Sequence, residues 1–110
     1  FEPSEFDCPC CGQNGMDVDF LSMLDRARGL AKIPFKINSG YRCQSHNAEV
    51  GGVLRSSHTR GYAADIRVHD SLSKYKILTA LLNAGFKRLG VYKNFIHADC
   101  DPSNPPERVW

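Results

Sequence analysis

Residues 56–65, with the sequence SSHTRGYAAD, place a histidine in a loop and an aspartate at the start of an apolar stretch. Residues 63–68 (AADIRV) are typical of a short strand, and Gly61 permits the unusual backbone angle of a tight entry turn. This pattern predicts that His58 folds back over the strand and meets the carboxylate of Asp65. Imidazole and carboxylate groups are good zinc ligands, and a catalytic zinc ordinarily takes three protein ligands and a water. The third ligand should come from a neighbouring strand.

The candidate third ligand is His97, which lies in a second predicted strand. Apolar and polar residues alternate in residues 95–99 (FIHAD), so His97 and Asp99 share one face of that strand. A helix-length segment separates the two strands, which is enough chain for them to become neighbours in one sheet. A lone loop histidine more often has a structural role, but the joint pattern is far more specific.

Length and composition indicate a soluble globular chain. Its 110 residues suffice for one domain and one core, and 42% of them are hydrophobic. No apolar run is long enough for a membrane span, and we expect no signal peptide in this sequence, because its first residues are largely polar. The net charge of +2, with neither a basic run nor a stacking motif, argues against nucleic-acid binding. We expect a monomer.

Hydrophobic periodicity predicts a small α+β domain over residues 1–110, with helices covering a largely antiparallel sheet. In the predicted helix of residues 71–84, the stripe expected to be buried consists of Tyr75, Leu78, Leu81 and Leu82. The predicted helices are residues 17–32, 45–50 and 71–84, and the predicted strands are 35–38, 63–68, 88–92 and 95–99, the last two joined by a turn at Lys93-Asn94.

The five cysteines leave several options open. Three of them cluster in residues 8–12 (CPCCG), whereas Cys43 and Cys100 are isolated. A structural zinc site would ordinarily need two separated pairs, and only one cluster exists. A disulfide from the cluster to Cys43 is compatible with an oxidising compartment. The odd count leaves at least one thiol unpaired within the chain.

The pattern Ser56-x-His58-x-x-Gly61-x-Ala63-x-Asp65, followed by a late strand with His97, resembles a known family. It is similar to the zinc peptidases related to D-alanyl-D-alanine carboxypeptidases and dipeptidases, which share their fold with phage L-alanyl-D-glutamate endopeptidases and the hedgehog signalling domain. The resemblance covers nearly the whole chain. Further matching stretches are residues 4–6 (SEF), 39–42 (SGYR), 46–47 (HN) and 90–92 (GVY).

This resemblance implies a zinc ion bound by His58, Asp65 and His97, and amide hydrolysis by a metal-activated water. The arginine that matches Arg42 reaches into the site of the related peptidases and binds substrate oxygen, which suits a bidentate cation. Ser56 is predicted to hydrogen-bond substrate near the metal, with a purely structural loop role as the alternative.

The chain departs from the family pattern at the general base. Many relatives carry a glutamate or aspartate three residues before the last ligand histidine, where this chain has Asn94. Asp99 is the predicted substitute, because strand alternation places it on the ligand face. The alternative role for Asp99 is to orient His97 from behind the metal.

The implied substrates are peptidoglycan stem peptides that contain D-amino acids, cut by a phage or bacterial peptidase that acts at the cell wall. Endopeptidase cleavage between L-Ala and D-Glu is the first prediction, and carboxypeptidase removal of terminal D-Ala is the second. Two other classes remain: a zinc-bearing binding module, suggested by Asn94, and a cysteine-based structural zinc or redox protein, suggested by the cysteine cluster alone.

Overall fold

The computed structural model describes residues 3–52 and 56–110. Within them lie three α-helices, five strands and two 3₁₀ turns, Pro3–Phe6 and Ser57–Arg60, which confirms the predicted α+β class. The helices are α1 (Val18–Ala31), α2 (Gln44–Glu49) and α3 (Ser71–Ala84), and the strands are β1 (Ile37–Ser39), β2 (Ala63–Arg67), β3 (Arg88–Val91), β4 (Phe95–Asp99) and β5 (Arg108–Val109).

Both long helices begin at an aspartate cap. The Asp17 carboxylate accepts the backbone N–H of Phe20 at the start of α1, which satisfies a donor that the helix leaves unpaired. Asp70 and Ser73 form a reciprocal capping box at the start of α3, and Gly85 ends that helix with φ 108°. The predicted helices at these positions are therefore confirmed.

The predicted buried stripe of α3 is wrong in part. Tyr75 and Leu82 are 67% and 50% exposed, because α3 turns a neighbouring face toward the core. Alanines contribute to that face, and a stripe chosen by the largest apolar side chains misses them. The buried residues of α3 are Ile77, Ala80, Leu81 and Ala84.

The sheet has the order β1-β2-β4-β3-β5, and every pair is antiparallel except β3 with β5. The turn between β3 and β4 falls at Lys93-Asn94 as predicted, closed by a hydrogen bond from the N–H of Tyr92 to the carbonyl of Phe95. Strand β1 begins at Ile37 rather than at residue 35. The C-terminal segment adds β5, whose two residues follow Pro105 and Pro106 too closely to be recognised as a strand from sequence.

The core lies between one face of the sheet and helices α1 and α3. Its sheet side comes mainly from β2, β3 and β4, and its helix side from α1 and α3. The opposite face of the central strands is left for polar side chains. Among the described residues, no helix combines the length and apolar character that crossing a membrane requires. The largest fully buried apolar side chains include Phe6, Phe20, Phe86, Leu24, Ile66, Ile77, Leu81, Leu89 and Ile96.

Candidate active site

The predicted site residues meet on the polar face of the central strands. In the strand register Asp65 of β2 lies opposite Ser39 of β1 on one side and His97 of β4 on the other, and His97 in turn lies opposite Gly90 of β3. Directly opposed side chains of adjacent strands are close neighbours. The sheet therefore brings together residues far apart in sequence.

His58 reaches this row from the 3₁₀ turn Ser57–Arg60. That turn ends at Gly61, whose φ is 78°, and a Cβ on Gly61 would stand 1.9 Å from the carbonyl oxygen of Gly15. Only glycine fits there. The ring of His58 is 2% exposed, and its Nδ1 lies 2.8 Å from the carbonyl oxygen of Gly40. Since a carbonyl only accepts, Nδ1 carries a proton, and Nε2 is the ring nitrogen left to face Asp65 or a metal.

His97 completes the group, as its Nδ1 lies 3.0 Å from Oδ1 of Asp65. The same carboxylate oxygen lies 3.3 Å from Nε2 of His58. The two imidazole rings cross edge to face with centroids 5.2 Å apart. The structure thus brings together all three residues that the sequence predicted as ligands.

The contacts within this group shift its pKa values. Burial favours the neutral form of Asp65, but the adjacent His58 and His97 outweigh it and hold the pKa of that carboxyl well below its usual range. Burial likewise lowers the pKa of His97, but the carboxylates of Asp65 and Asp99 outweigh it and raise that pKa to about 9. In the metal-free protein a proton on His97 balances the carboxylates.

The group fits a zinc ion. One ligand atom from each of His58, Asp65 and His97 lies within 4.8 Å of the other two. Nε2 of His58 is buried and makes no hydrogen bond with any described residue, which is costly unless a metal or a water takes its lone pair. Two imidazole nitrogens and one carboxylate oxygen are a donor set that zinc accepts, with a fourth position left over.

Asp99 lies behind His97 and is 1% exposed. Its Oδ2 lies 2.8 Å from Nε2 of His97, and its Oδ1 accepts a 2.8 Å hydrogen bond from Nε of Arg88. These contacts match the orienting role, in which a carboxylate holds the far nitrogen of a ligand histidine and so frees the near one for metal. The role of Asp99 as general base stays a prediction, and both oxygens are already engaged.

Arg42 lies at the other side of Asp65. Its Nε donates to Oγ of Ser39 at 3.1 Å and one terminal nitrogen donates to Oδ1 of Asn47 at 3.1 Å. The other terminal nitrogen lies 3.8 Å from Oδ2 of Asp65. Gly52 leaves room for the Asn47 side chain that accepts from Arg42, because a Cβ on Gly52 would lie 2.1 Å from the amide oxygen of Asn47. The guanidinium is thereby held beside the ligand group, with its substrate role still a prediction.

Ser56 stands at the start of the 3₁₀ turn, where its Oγ accepts the N–H of His58 at 3.2 Å. This contact positions the ligand histidine, in agreement with the structural alternative for Ser56. The residue also lines the cleft beside the site. Its predicted contact with substrate stays a prediction.

A cleft of about 780 Å³ opens beside His97. Sequence reasoning missed the hairpin and tail residues of its wall. The Trp110 ring lies tilted against the His97 ring, with centroids 5.5 Å apart, and its Nε1 donates to the hydroxyl of Tyr92 at 2.7 Å. The pairing of Arg88 with Asp99 could have been found, because the predicted Lys93-Asn94 turn sets that register. The described lining residues are Ser56, Ser57, Arg60, Arg88, Tyr92, His97, Asp99, Ser103, Asn104 and Trp110.

Comparison with known proteins agrees with this site. A search of curated proteins gives no match. A family model described as Peptidase M15 matches residues 1–99, which include the whole ligand group, Arg42 and Asp99. Because the match spans most of the chain, the protein belongs to the peptidase M15 family and is a metallopeptidase.

Proposed function

We propose that this protein is a zinc peptidase that hydrolyses peptidoglycan stem peptides at the cell wall, first as an endopeptidase between L-Ala and D-Glu and second as a carboxypeptidase on D-Ala-D-Ala. The observation that carries the proposal is the convergence of His58, Asp65 and His97, with the buried Nε2 of His58 making no hydrogen bond with a described residue. Membership of the M15 family supports the same chemistry.

The residues of the chain divide the work around the metal. His58, Asp65 and His97 would hold a zinc ion, which would supply an activated water and Lewis-acid polarisation of the scissile carbonyl. Asp99 holds Nε2 of His97, which leaves Nδ1 on the side of Asp65. Arg42 presents a fixed guanidinium beside Asp65. One donor of this kind to a developing oxyanion lowers the activation barrier by about 3–4 kcal/mol.

The cleft supports a peptide substrate that extends past the scissile bond. Its lining comes from both sides of His97: the 3₁₀ turn on one side, and the β3–β4 hairpin with the C-terminal tail on the other. Its volume lies within the usual range of ligand sites. A cleft of this size beside His97 favours an endopeptidase over an enzyme that only removes a terminal residue.

A defined pentapeptide stem, L-Ala-D-Glu-L-Lys-D-Ala-D-Ala, tests the proposal by mass spectrometry of the products. Free L-Ala indicates the endopeptidase, and loss of the terminal D-Ala indicates the carboxypeptidase. His58→Ala and His97→Ala should each abolish turnover and lose the zinc of this site, whereas His69→Ala, at an exposed histidine, should leave both unchanged. Turnover that persists after a strong chelator would refute the proposal.

A second candidate is a weakly catalytic, zinc-bearing module that binds the cell wall. The scarcity of free carboxylates in the cleft favours this candidate, because a hydrolase needs a general base. Among the described lining residues only Asp99 has a carboxylate side chain, and Arg88 and His97 already engage it. Incubation with purified peptidoglycan separates the two candidates. Release of new amino termini identifies the peptidase, and chelator-sensitive sedimentation with the wall, without release, identifies the module.

A further inference from the structure

A second group of potential metal ligands lies outside the active site. The Sγ atoms of Cys8, Cys10, Cys11 and Cys43 all lie within 4.8 Å of one another. Three come from the loop after the first 3₁₀ turn, and Cys43 comes from the loop before α2, directly after Arg42. The fold therefore supplies the fourth thiol that the single cluster lacked in the sequence.

We propose that these four cysteines bind a structural zinc ion, separate from the zinc of the active site. Tetrahedral coordination with Zn–S bonds of about 2.3 Å places sulfurs about 3.8 Å apart. The observed Sγ–Sγ distances are 3.6 Å for Cys8–Cys10, 3.6 Å for Cys8–Cys43 and 3.2 Å for Cys10–Cys43. A group of four thiolates also selects zinc over harder cations.

The backbone around the sulfurs is arranged as in a thiolate site. The N–H of Cys43 points to Sγ of Cys8 at 3.4 Å, and the N–H of His46 points to Sγ of Cys43 at 3.5 Å. N–H groups of Cys10 and Gln13 also donate to Cys8 and Cys11. Such donors stabilise negative charge on sulfur, as the surroundings of a metal site do.

The loop itself is shaped to gather the ligands. Cys8 and Cys11 have the spacing of a two-cysteine zinc turn, C-x₂-C, followed by Gly12. Gly12 adopts φ 73° and donates its N–H to the carbonyl of Cys8 at 2.8 Å. A Cβ on Gly12 would meet nothing within 4 Å, so the backbone angle rather than space is what requires glycine there.

A disulfide fits the arrangement less well. A disulfide joins two sulfurs at about 2.05 Å and turns their Cβ atoms into a fixed dihedral, whereas here all four thiols converge on one point and are free. Zinc would close the 35-residue separation between Cys8 and Cys43. It would thereby tie the N-terminal segment to the loop that presents Arg42.

Metal content and cobalt absorption test the proposal on the intact chain purified with reductant. We expect two zinc ions per wild-type chain, one in Cys43→Ser and one in His58→Ala. The matched control, Cys100→Ser, alters the one cysteine outside the group and should keep both ions. Loaded with Co²⁺, wild type and His58→Ala should show thiolate-to-cobalt charge-transfer absorption, which should be weaker in Cys11→Ser.

The cobalt spectrum of the wild type keeps the test valid if a cysteine variant fails to fold. One zinc per wild-type chain without thiolate-to-cobalt absorption would overturn the proposal. So would an intact mass, without reductant, that is lower by a pair of hydrogens and shows Cys43 in a disulfide. Neither result would affect the active-site proposal, because His58→Ala reports on that site separately.

Discussion

Replacing Asp99 by asparagine separates the two roles of this carboxylate with almost no change in shape. The wild-type carboxylate accepts from Nε2 of His97 and from Nε of Arg88, each at 2.8 Å. An amide keeps only one acceptor oxygen. If its NH₂ group faces His97, that ring must change tautomer, and its Nδ1 proton then points at the metal position.

We expect the zinc affinity of the active site to fall 10- to 100-fold, about 1.4–2.7 kcal/mol, as for other carboxylates behind a ligand histidine. If the amide instead turns its NH₂ to Arg88, a guanidinium with 15% side-chain exposure loses its carboxylate, at a cost of about 1–3 kcal/mol of unfolding free energy. If Asp99 only orients His97, turnover at saturating zinc should recover to within about tenfold of wild type, because no proton of the reaction then passes through Asp99.

The assay is competition for zinc against a chromophoric chelator, followed by kcat on the stem peptide at saturating zinc. Asp101→Asn is the matched control, since Asp101 is similarly buried and its carboxylate accepts from Ser57, Ser103 and Arg60 rather than from His97. It should lose stability but keep the zinc affinity. Unchanged zinc affinity in Asp99→Asn with a 10²- to 10⁴-fold loss of kcat would refute this reasoning and establish Asp99 as the base.

Three further predictions concern the residues around the site. In the metal-free protein the pKa of His97 is raised from 6.5 to about 9, so the stability it contributes is complete below pH 6.5 and is lost between 6.5 and 9. Zinc needs the neutral ring, so its affinity should rise about tenfold per pH unit over that window, and a flat chelator titration would contradict this. Gly61→Ala should lower the unfolding free energy, measured in urea, by about 2–4 kcal/mol, because it adds backbone strain and a clash with Gly15. The control Gly51→Ala has a similar φ of 72° but open space around it, and should cost about 1 kcal/mol. Equal losses in the two variants would rule out the clash. Arg42→Lys keeps the positive charge but loses the bidentate guanidinium donors, and should lower kcat/KM about 10²-fold with zinc retained. Loss of zinc from this variant would show that Arg42 instead supports the residues His58, Asp65 and His97.

The sequence was sufficient to single out the three residues that converge in the site, and to predict most elements. His58 and Asp65 are joined by a short turn whose glycine is visible in the sequence, and the alternation around His97 sets its face in β4. The aspartate caps and the Lys93-Asn94 turn likewise act within a few residues. Local signals of this kind depend on backbone geometry that the residues themselves impose.

Only the tertiary structure decided what depends on the meeting of distant segments. The placement of the Trp110 ring beside His97, and the pairing of β1 with β2 that sets Ser39 opposite Asp65, required the register of the whole sheet. The fourth thiol of the cysteine group stands 35 positions from Cys8, and no spacing rule connects them. Composition and periodicity encode which residues are buried and which lie in turns. Contacts between distant segments are fixed by how helices and strands pack together.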